Sequence, residues 1–244
     1  RFAGAVWSEK TEHFPFPDHE GADRYLSCRL CLARQFERLA HEELVVHFKA
    51  HAIDALEQVL AGAGHAVERL GFGRAFLRRM LDDPPDLVFN IAEGLVGRSR
   101  EAQVPAVCEM LGVPCTHSDP LTLALTLDKD LAKRVVAAHG LATPRHLLIE
   151  RLADLPGGEA PGGLAFPLIV KSLTQEASIG ISQASVVESD EKLKERVAFI
   201  HESIGTAAIA EQYIEGRELY VGVIGNQALQ ALPVWELFFT NMPA

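Results

Sequence analysis

Short apolar runs alternate with amphipathic stretches over the first half of the chain. Phe2–Trp7, Ala66–Leu70 and Asp86–Ile91 read as strands, the last two suited to a buried parallel sheet. Ser8–Gly21, with Pro15, Pro17 and several charges, reads as a loop. From Ala22 to Leu60 the pattern predicts two helices, with Gly62 and Gly64 as stop signals. Arg74–Leu81 is helix-like, and Glu101–Leu111 is an amphipathic helix closed by Gly112. Asp119 is an N-cap with Pro120 at the first helical position. Asp128 caps the next helix, which runs to His139 and ends at Gly140. This alternation up to about residue 119 predicts an open parallel α/β sheet.

Beyond that point the pattern changes. Pro156–Pro167 is a connector rich in proline and glycine, and Phe166–Ser172 is a strand. Asp190 starts a helix to about Ser203, and three strands follow. Gly225-Asn226 lies between Leu219–Ile224 and Gln227–Leu232, a two-residue hairpin signal. The second half is therefore predicted to be α+β with antiparallel pairing.

Composition narrows the classes. A hydrophobic content of 48% over 244 residues is ample for a core in one large domain or two small ones. The formal charge of −10 opposes a nucleic-acid partner, which needs a basic face, but not a small anion held by a local cluster of cations. No apolar run approaches the ~18–20 residues of a bilayer span, and RFAGAVWSEK lacks the features of a signal peptide. The absence of an initiator Met suggests a fragment or a processed product. Four cysteines in so long a chain do not form a disulfide scaffold, which points to a reducing cytoplasm.

Candidate chemistry concentrates between Lys129 and Glu218. Lys171 ends a strand and leads into a loop of small residues, Ser172–Ser182, whose Ser178 and Gly180 suit close approach of backbone N–H groups to phosphate. Lys129 follows the Asp128 cap, where a helix start adds further donors. Glu218 can accept both hydroxyls of a ribose, and the backbone of Glu211, Gln212, Tyr213 and Ile214 can pair with an adenine edge. A lone lysine at a strand end usually faces solvent. The ordered set is far more specific, because a triphosphate needs cations, donors and a cover against water.

This order resembles the ATP-grasp superfamily, and within it the D-alanine–D-alanine ligase branch. The similarity rests on LDK (Lys129), VK (Lys171), the loop to Gly180, and Glu211, Ile214, Gly216 and Glu218 in an E-x-x-I/L-x-G-x-E pattern. It extends over about residues 43–240 and takes in FNIAEGLVGRSREAQVPAVCEMLGVPCTHSDPLTLALTLDK. The resemblance implies an α/β pre-ATP-grasp domain (1–119), a central ATP-grasp subdomain (120–210) and the start of a last, incomplete one (211–244). It implies ATP and Mg²⁺ as cofactors and a small amino acid or peptide as substrate. Cytoplasmic peptidoglycan biosynthesis is the implied setting, a homodimer being compatible. The implied reaction forms an acylphosphate from a carboxylate and ATP, which an amine then attacks. In the family, the Mg²⁺ ligands and phosphoryl-neutralising residues lie well beyond LPVWEL, so catalytic residues are expected beyond Ala244.

Two departures bear on substrate. Gln175-Glu176-Ala177-Ser178 stands where the ligase loop prefers a glycine and two serines. Glu93-Gly94 stands where D-alanine ligases have His-Gly, so Glu93, with Arg98 and Arg100, can engage the amino group and carboxylate of a different substrate. The alternatives are a ligase for another amino acid or peptide, and a nucleotide-binding protein without turnover.

Other motifs carry less. Cys28-x2-Cys31 and His47-x3-His51 have zinc-like spacing, but one continuous helix would hold the pairs ~24 Å apart. Cys108 and Cys115 read as core or buried-edge thiols. Gly157–Gly163 lacks the Lys-Ser/Thr of a Walker A loop and reads as a linker.

Overall fold

A computed structural model of the protein describes residues 29–32, 43–71, 73–155, 161–176 and 178–238, with residues 29–32 and 43–51 described by backbone alone. The expected strand Phe2–Trp7 lies outside the described residues. Residues 29–124 belong to one compact unit and residues 125–238 to another.

The first unit carries a three-stranded parallel sheet in the order β2-β1-β3, formed by β1 (Arg29–Leu32), β2 (Ala66–Arg69) and β3 (Leu87–Phe89). Leu30 pairs with Val67 on one side and Leu87 on the other. Between the strands run α1 (Glu43–Gly62) and α2 (Gly73–Asp82), and α3 (Gln103–Leu111) follows a short 3₁₀ turn at Arg100–Ala102. Phe76 and Met80, one helical turn apart on α2, pack with Val104 and Cys108 of α3 against Val88. Gly112 closes α3 in the left-handed conformation, φ 67°.

This corrects the reading of Ala22–Leu60 as two helices, because β1 is the central strand. A short RLCL run has no polar alternation, and such runs in parallel sheets cannot be told from helix by periodicity. A second correction concerns β2, which is an exposed edge rather than a buried strand. Its Arg69 Nη2 pairs with Asp54 of α1 at 2.6 Å, and its Glu68 with Arg79 Nη2 of α2 at 2.7 Å. At such exposure these pairs add little stability and serve mainly to cover the edge.

In the second unit α5 (Lys129–Ala138) starts at Asp128, whose Oδ1 accepts from Leu131 N at 3.2 Å. It follows α4 (Pro120–Leu127), where Asp119 Oδ1 accepts from Thr122 N at 2.8 Å. Four antiparallel strands then form a sheet in the order β4-β7-β5-β6: β4 (His146–Ile149), β5 (Leu168–Ser172), β6 (Val186–Val187) and β7 (Ala208–Gln212). Ser189 caps α6 (Asp190–Phe199), which continues through a π turn to Gly205.

Alternation assigns the two faces of this sheet. Leu168, Val170, Ala208, Ala210 and Ile149 point to α6, where Leu193, Val197 and Ile200 complete a core without solvent exposure. Burying each of these larger side chains contributes about 1.5–3 kcal/mol. The intervening residues Ile169, Lys171, Ile209, Glu211, His146 and Leu148 occupy the opposite face.

The last strands form an antiparallel ribbon. β8 (Glu218–Tyr220) pairs with β11 (Trp235–Leu237), and β9 (Val223–Ile224) with β10 (Gln230–Ala231). Ile224 opposes Gln230, so the connecting loop is Gly225–Leu229 and not the expected two residues. Gly225 has φ 108°, and its position for a Cβ lies 2.1 Å from the Ala228 carbonyl oxygen, so the backbone folds back on itself there. Among the described residues no helix is long and apolar enough to cross a membrane.

Candidate functional site

The face of the β4-β7-β5-β6 sheet away from α6 is charged. Glu211 lies directly opposite Ile169, which makes Lys171, two residues along β5, its diagonal neighbour. Lys171 Nζ reaches Glu211 Oε2 at 2.8 Å, and both side chains are only 8% exposed. The second oxygen of the carboxylate, Oε1, meets Lys133 Nζ of α5 at 3.4 Å. Lys133 also donates to Thr143 Oγ1 at 2.9 Å. Burial alone would push the Glu211 carboxyl up, but the charges of Lys171 and Lys133 hold it below the usual carboxylate range. Burial pushes the Lys133 ammonium down against the opposing pull of Glu211.

A second tie joins α5 to the same face. Asp130, buried, accepts from His146 Nε2 at 2.8 Å through Oδ1 and from Arg134 at 2.8 Å through Oδ2. His146 is the direct strand partner of Glu211. Lys133, Asp130 and His146 did not figure among the candidates read from sequence. The only local signal was the four-residue spacing of Lys129 and Lys133, which places them on one helix face.

Lys129 turns to the loop after β5. Its Nζ donates to the carbonyl oxygens of Gln175 (2.7 Å) and Leu173 (3.4 Å) and pairs with Glu176 at 3.2 Å. Its backbone N–H donates to the Leu173 carbonyl at 3.2 Å. Ser172 Oγ accepts from Gln175 N at 3.1 Å and bonds Thr206 Oγ1 at 2.7 Å, setting the exit of the strand. Further along, Ser178 adopts a left-handed backbone (φ 62°), as does Gly180 (φ 72°). The Gly180 carbonyl accepts from Arg196 of α6, a buried guanidinium that also donates to Ser185 Oγ at 2.8 Å and stacks 4.4 Å from the Phe199 ring. A side chain at Gly180 would press on Ile204. Both ends of the loop are thereby fixed by named contacts.

After Glu211 the chain emerges from the sheet. Gln212, Tyr213 and Ile214 are exposed. Gln212 N donates to the Arg145 carbonyl and Tyr213 N to the Pro167 carbonyl, at 2.9 and 3.1 Å. Glu218, half-buried at the start of β8, accepts from the Tyr220 hydroxyl.

Glu93, Gly94, Arg98 and Arg100 lie in the other unit, on the segment between β3 and α3. Asn90 Oδ1 accepts from Ala92 N at 3.0 Å, and Gln103 Nε2 donates to the Val96 carbonyl at 2.8 Å, so the segment is folded against its own ends. Gly94 has φ 69°, and a Cβ there would lie 2.3 Å from the Arg100 carbonyl oxygen. Arg100 also approaches Glu101 at 3.7 Å.

Cys108 is buried and Cys115 half-buried. Their mutual hydrogen bond, together with burial, pushes the Cys115 thiol up. Cys31 lies on a strand, so the single helix expected to separate the zinc-like pairs is not formed, while Cys28 and the His47 and His51 side chains lie outside what is described. Among the described residues no three His, Cys, Asp or Glu side chains cluster to hold a metal ion.

Residues 137–242 match the family model described as the D-ala D-ala ligase C-terminus. An uncharacterized protein, y4sG, of Sinorhizobium fredii is 37% identical over 160 residues, covering 63% of this chain and 45% of that protein. A D-alanine–D-alanine ligase of Moorella thermoacetica is 30% identical over 188 residues, covering 75% of this chain and 59% of that one. The chain thus spans about half the length of these relatives. The crystal structure of a D-alanine–D-alanine ligase from Bacillus anthracis complexed with ATP shares the fold, with TM-score 0.66 and 18% identity over 88% of this chain and 68% of that one. The described residues thus share the fold of that ligase. By sequence the chain is similar to the D-alanine–D-alanine ligases, with residues 137–242 matching the C-terminal family model.

Proposed function

We propose that this chain binds ATP on the charged face of its antiparallel sheet and supplies the nucleotide-holding part of an ATP-dependent carboxylate–amine ligase. One observation carries the reading. Lys171 at the end of β5 and Lys129 at the start of α5 flank the same loop, residues 172–182, and Lys171 sits in a buried cluster with an excess of one positive charge. Two lysines beside a loop of small residues suit a triphosphate, whose charge is best neutralised where water is excluded.

In this reading the lysines hold phosphate oxygens, and the turn containing Ser178 and Gly180 covers them. The Gln212 and Tyr213 N–H groups are taken by neighbouring carbonyls. Among the described residues no backbone partner holds the Ile214 N–H, which suits it to an adenine ring nitrogen. Glu218 accepts from the ribose hydroxyls. Mg²⁺, when bound, would supply positive charge that offsets the phosphates. No ligand set for it is assigned among the described residues. The reaction proposed transfers the γ-phosphoryl group of ATP to a substrate carboxylate, and an amine then displaces phosphate. In domain terms, residues 1–119 are the substrate-binding region, 120–210 the central ATP-grasp subdomain and 211–244 the start of the next.

A specific observation favours a substrate other than D-alanine. Glu93 precedes Gly94, whose close packing on Arg100 leaves room for no other residue, so the acidic side chain is presented at a fixed place in the segment. With Arg98 and Arg100 on the same segment, it suits an amino group and a carboxylate, as in another amino acid or a peptide.

The test is calorimetric titration with ATP. Lys171→Ala weakens binding by about tenfold or more, the loss of one charge-assisted contact. Lys192→Ala, on the exposed outer face of α6, leaves it unchanged. Equal effects of the two substitutions overturn the site. A panel of amino acids and dipeptides that stimulates ADP release then identifies the substrate, whereas ATP binding that no member of the panel converts to ADP release favours a binding protein.

A further inference from the structure

We infer that Lys133 is a positioning residue that sets the charge Lys171 can offer to phosphate, by holding the far side of the Glu211 carboxylate. The inference rests on the proposed ATP site. The two oxygens of Glu211 are divided between two lysines, Oε2 to Lys171 at 2.8 Å and Oε1 to Lys133 at 3.4 Å. Lys133 is 12% exposed and is steadied by its hydrogen bond to Thr143.

The division has an electrostatic consequence. Were Lys171 the sole partner of Glu211, the two would form a closed, neutral buried pair. A phosphate could recruit Lys171 only by leaving a buried carboxylate uncompensated, which is costly. With Lys133 in place the cluster carries a net charge of +1, and Glu211 keeps a counter-ion when Lys171 turns one of its three donors to a ligand. Lys133 acts on the nucleotide only through Glu211 and Lys171. Desolvating a further ammonium for this purpose is unfavourable, and its depressed pKa reports that cost.

The test compares ATP and adenosine affinity in the full chain, since only ATP carries the phosphates. Lys133→Met weakens ATP by about tenfold and adenosine by less than about twofold. The double variant Lys133→Met/Glu211→Gln recovers most of the ATP affinity, because no carboxylate then sequesters Lys171. Recovery on removing a second buried group is something a purely structural role does not produce. Should methionine prevent folding, Lys133→Gln keeps a hydrogen bond to Thr143 and gives the same comparison. An unchanged ATP-to-adenosine ratio in the single variant, or a double variant as weak as the single, overturns the role of Lys133 while leaving the ATP site standing. Failure of the unsubstituted chain to bind ATP overturns both.

Discussion

Removing the charge of Glu211 is the sharpest probe of the cluster on which the site is built. Glu211→Gln keeps the length of the side chain and an acceptor for Lys171, and removes only the negative charge. It leaves Lys171 and Lys133, 8% and 12% exposed, without a counter-ion. Breaking a buried ion pair by deleting one partner costs about 3–5 kcal/mol. Deprotonation sets a ceiling for each lysine, because a buried ammonium can always shed its proton. Starting from a reference pKa of about 10.4, that ceiling is about 4.6 kcal/mol at pH 7 and about 1.9 kcal/mol at pH 9. The loss of stability is therefore largest at neutral pH and shrinks toward pH 9, where the two ceilings together limit it to about 4 kcal/mol. On the acid side the sign is opposite. Glu211 has a folded pKa below its unfolded value, so its contribution is present above about pH 4.3 and disappears as pH falls through the depressed value. Wild type and variant then converge. Native-state hydrogen exchange of the β5 and β7 amides reads this sheet apart from the other unit. A loss below about 1 kcal/mol at pH 7, or one that does not change between pH 7 and 9, refutes the buried, charge-paired cluster.

Two further substitutions probe the scaffold. Leu193→Ala, in the solvent-free core between α6 and the sheet, costs about 2–5 kcal/mol in denaturant titration, and a loss under about 1 kcal/mol would mean that α6 does not pack there. Gly94→Ala brings a methyl group onto the Arg100 carbonyl from a left-handed backbone. That conformation alone costs about 1–2 kcal/mol, and relief of the clash must shift the 91–100 segment. A melting temperature equal to wild type would exclude that close approach.

Much of the helical framework was legible before any coordinates. Asp119, Asp128, Gly112 and Gly140 mark helix ends through local hydrogen bonding and backbone conformation, and such signals need no knowledge of distant residues. The strand β1 was not legible, because a four-residue apolar run acquires its identity only from the two strands beside it. The five-residue loop after β9 was missed for a related reason, since the register of the ribbon is decided by β10 and β11 and not by the Gly-Asn pair alone.

The candidate site divides in the same way. By itself the sequence determined the order of Lys129, Lys171, Glu211, Ile214 and Glu218, and with it the resemblance to one branch of ATP-grasp proteins. It also determined that residues two apart on β5 and β7 fall on one face, because the pleat alternates with a period of two. Only the tertiary structure decided that Glu211 is shared between two lysines, that Lys133 is one of them, and that Lys129 grips the loop after β5. These contacts join positions 40 or more residues apart, or an α5 lysine to a β7 carboxylate. The strength of each depends on burial and on strand register, which are properties of the assembled sheet and not of any local stretch of chain.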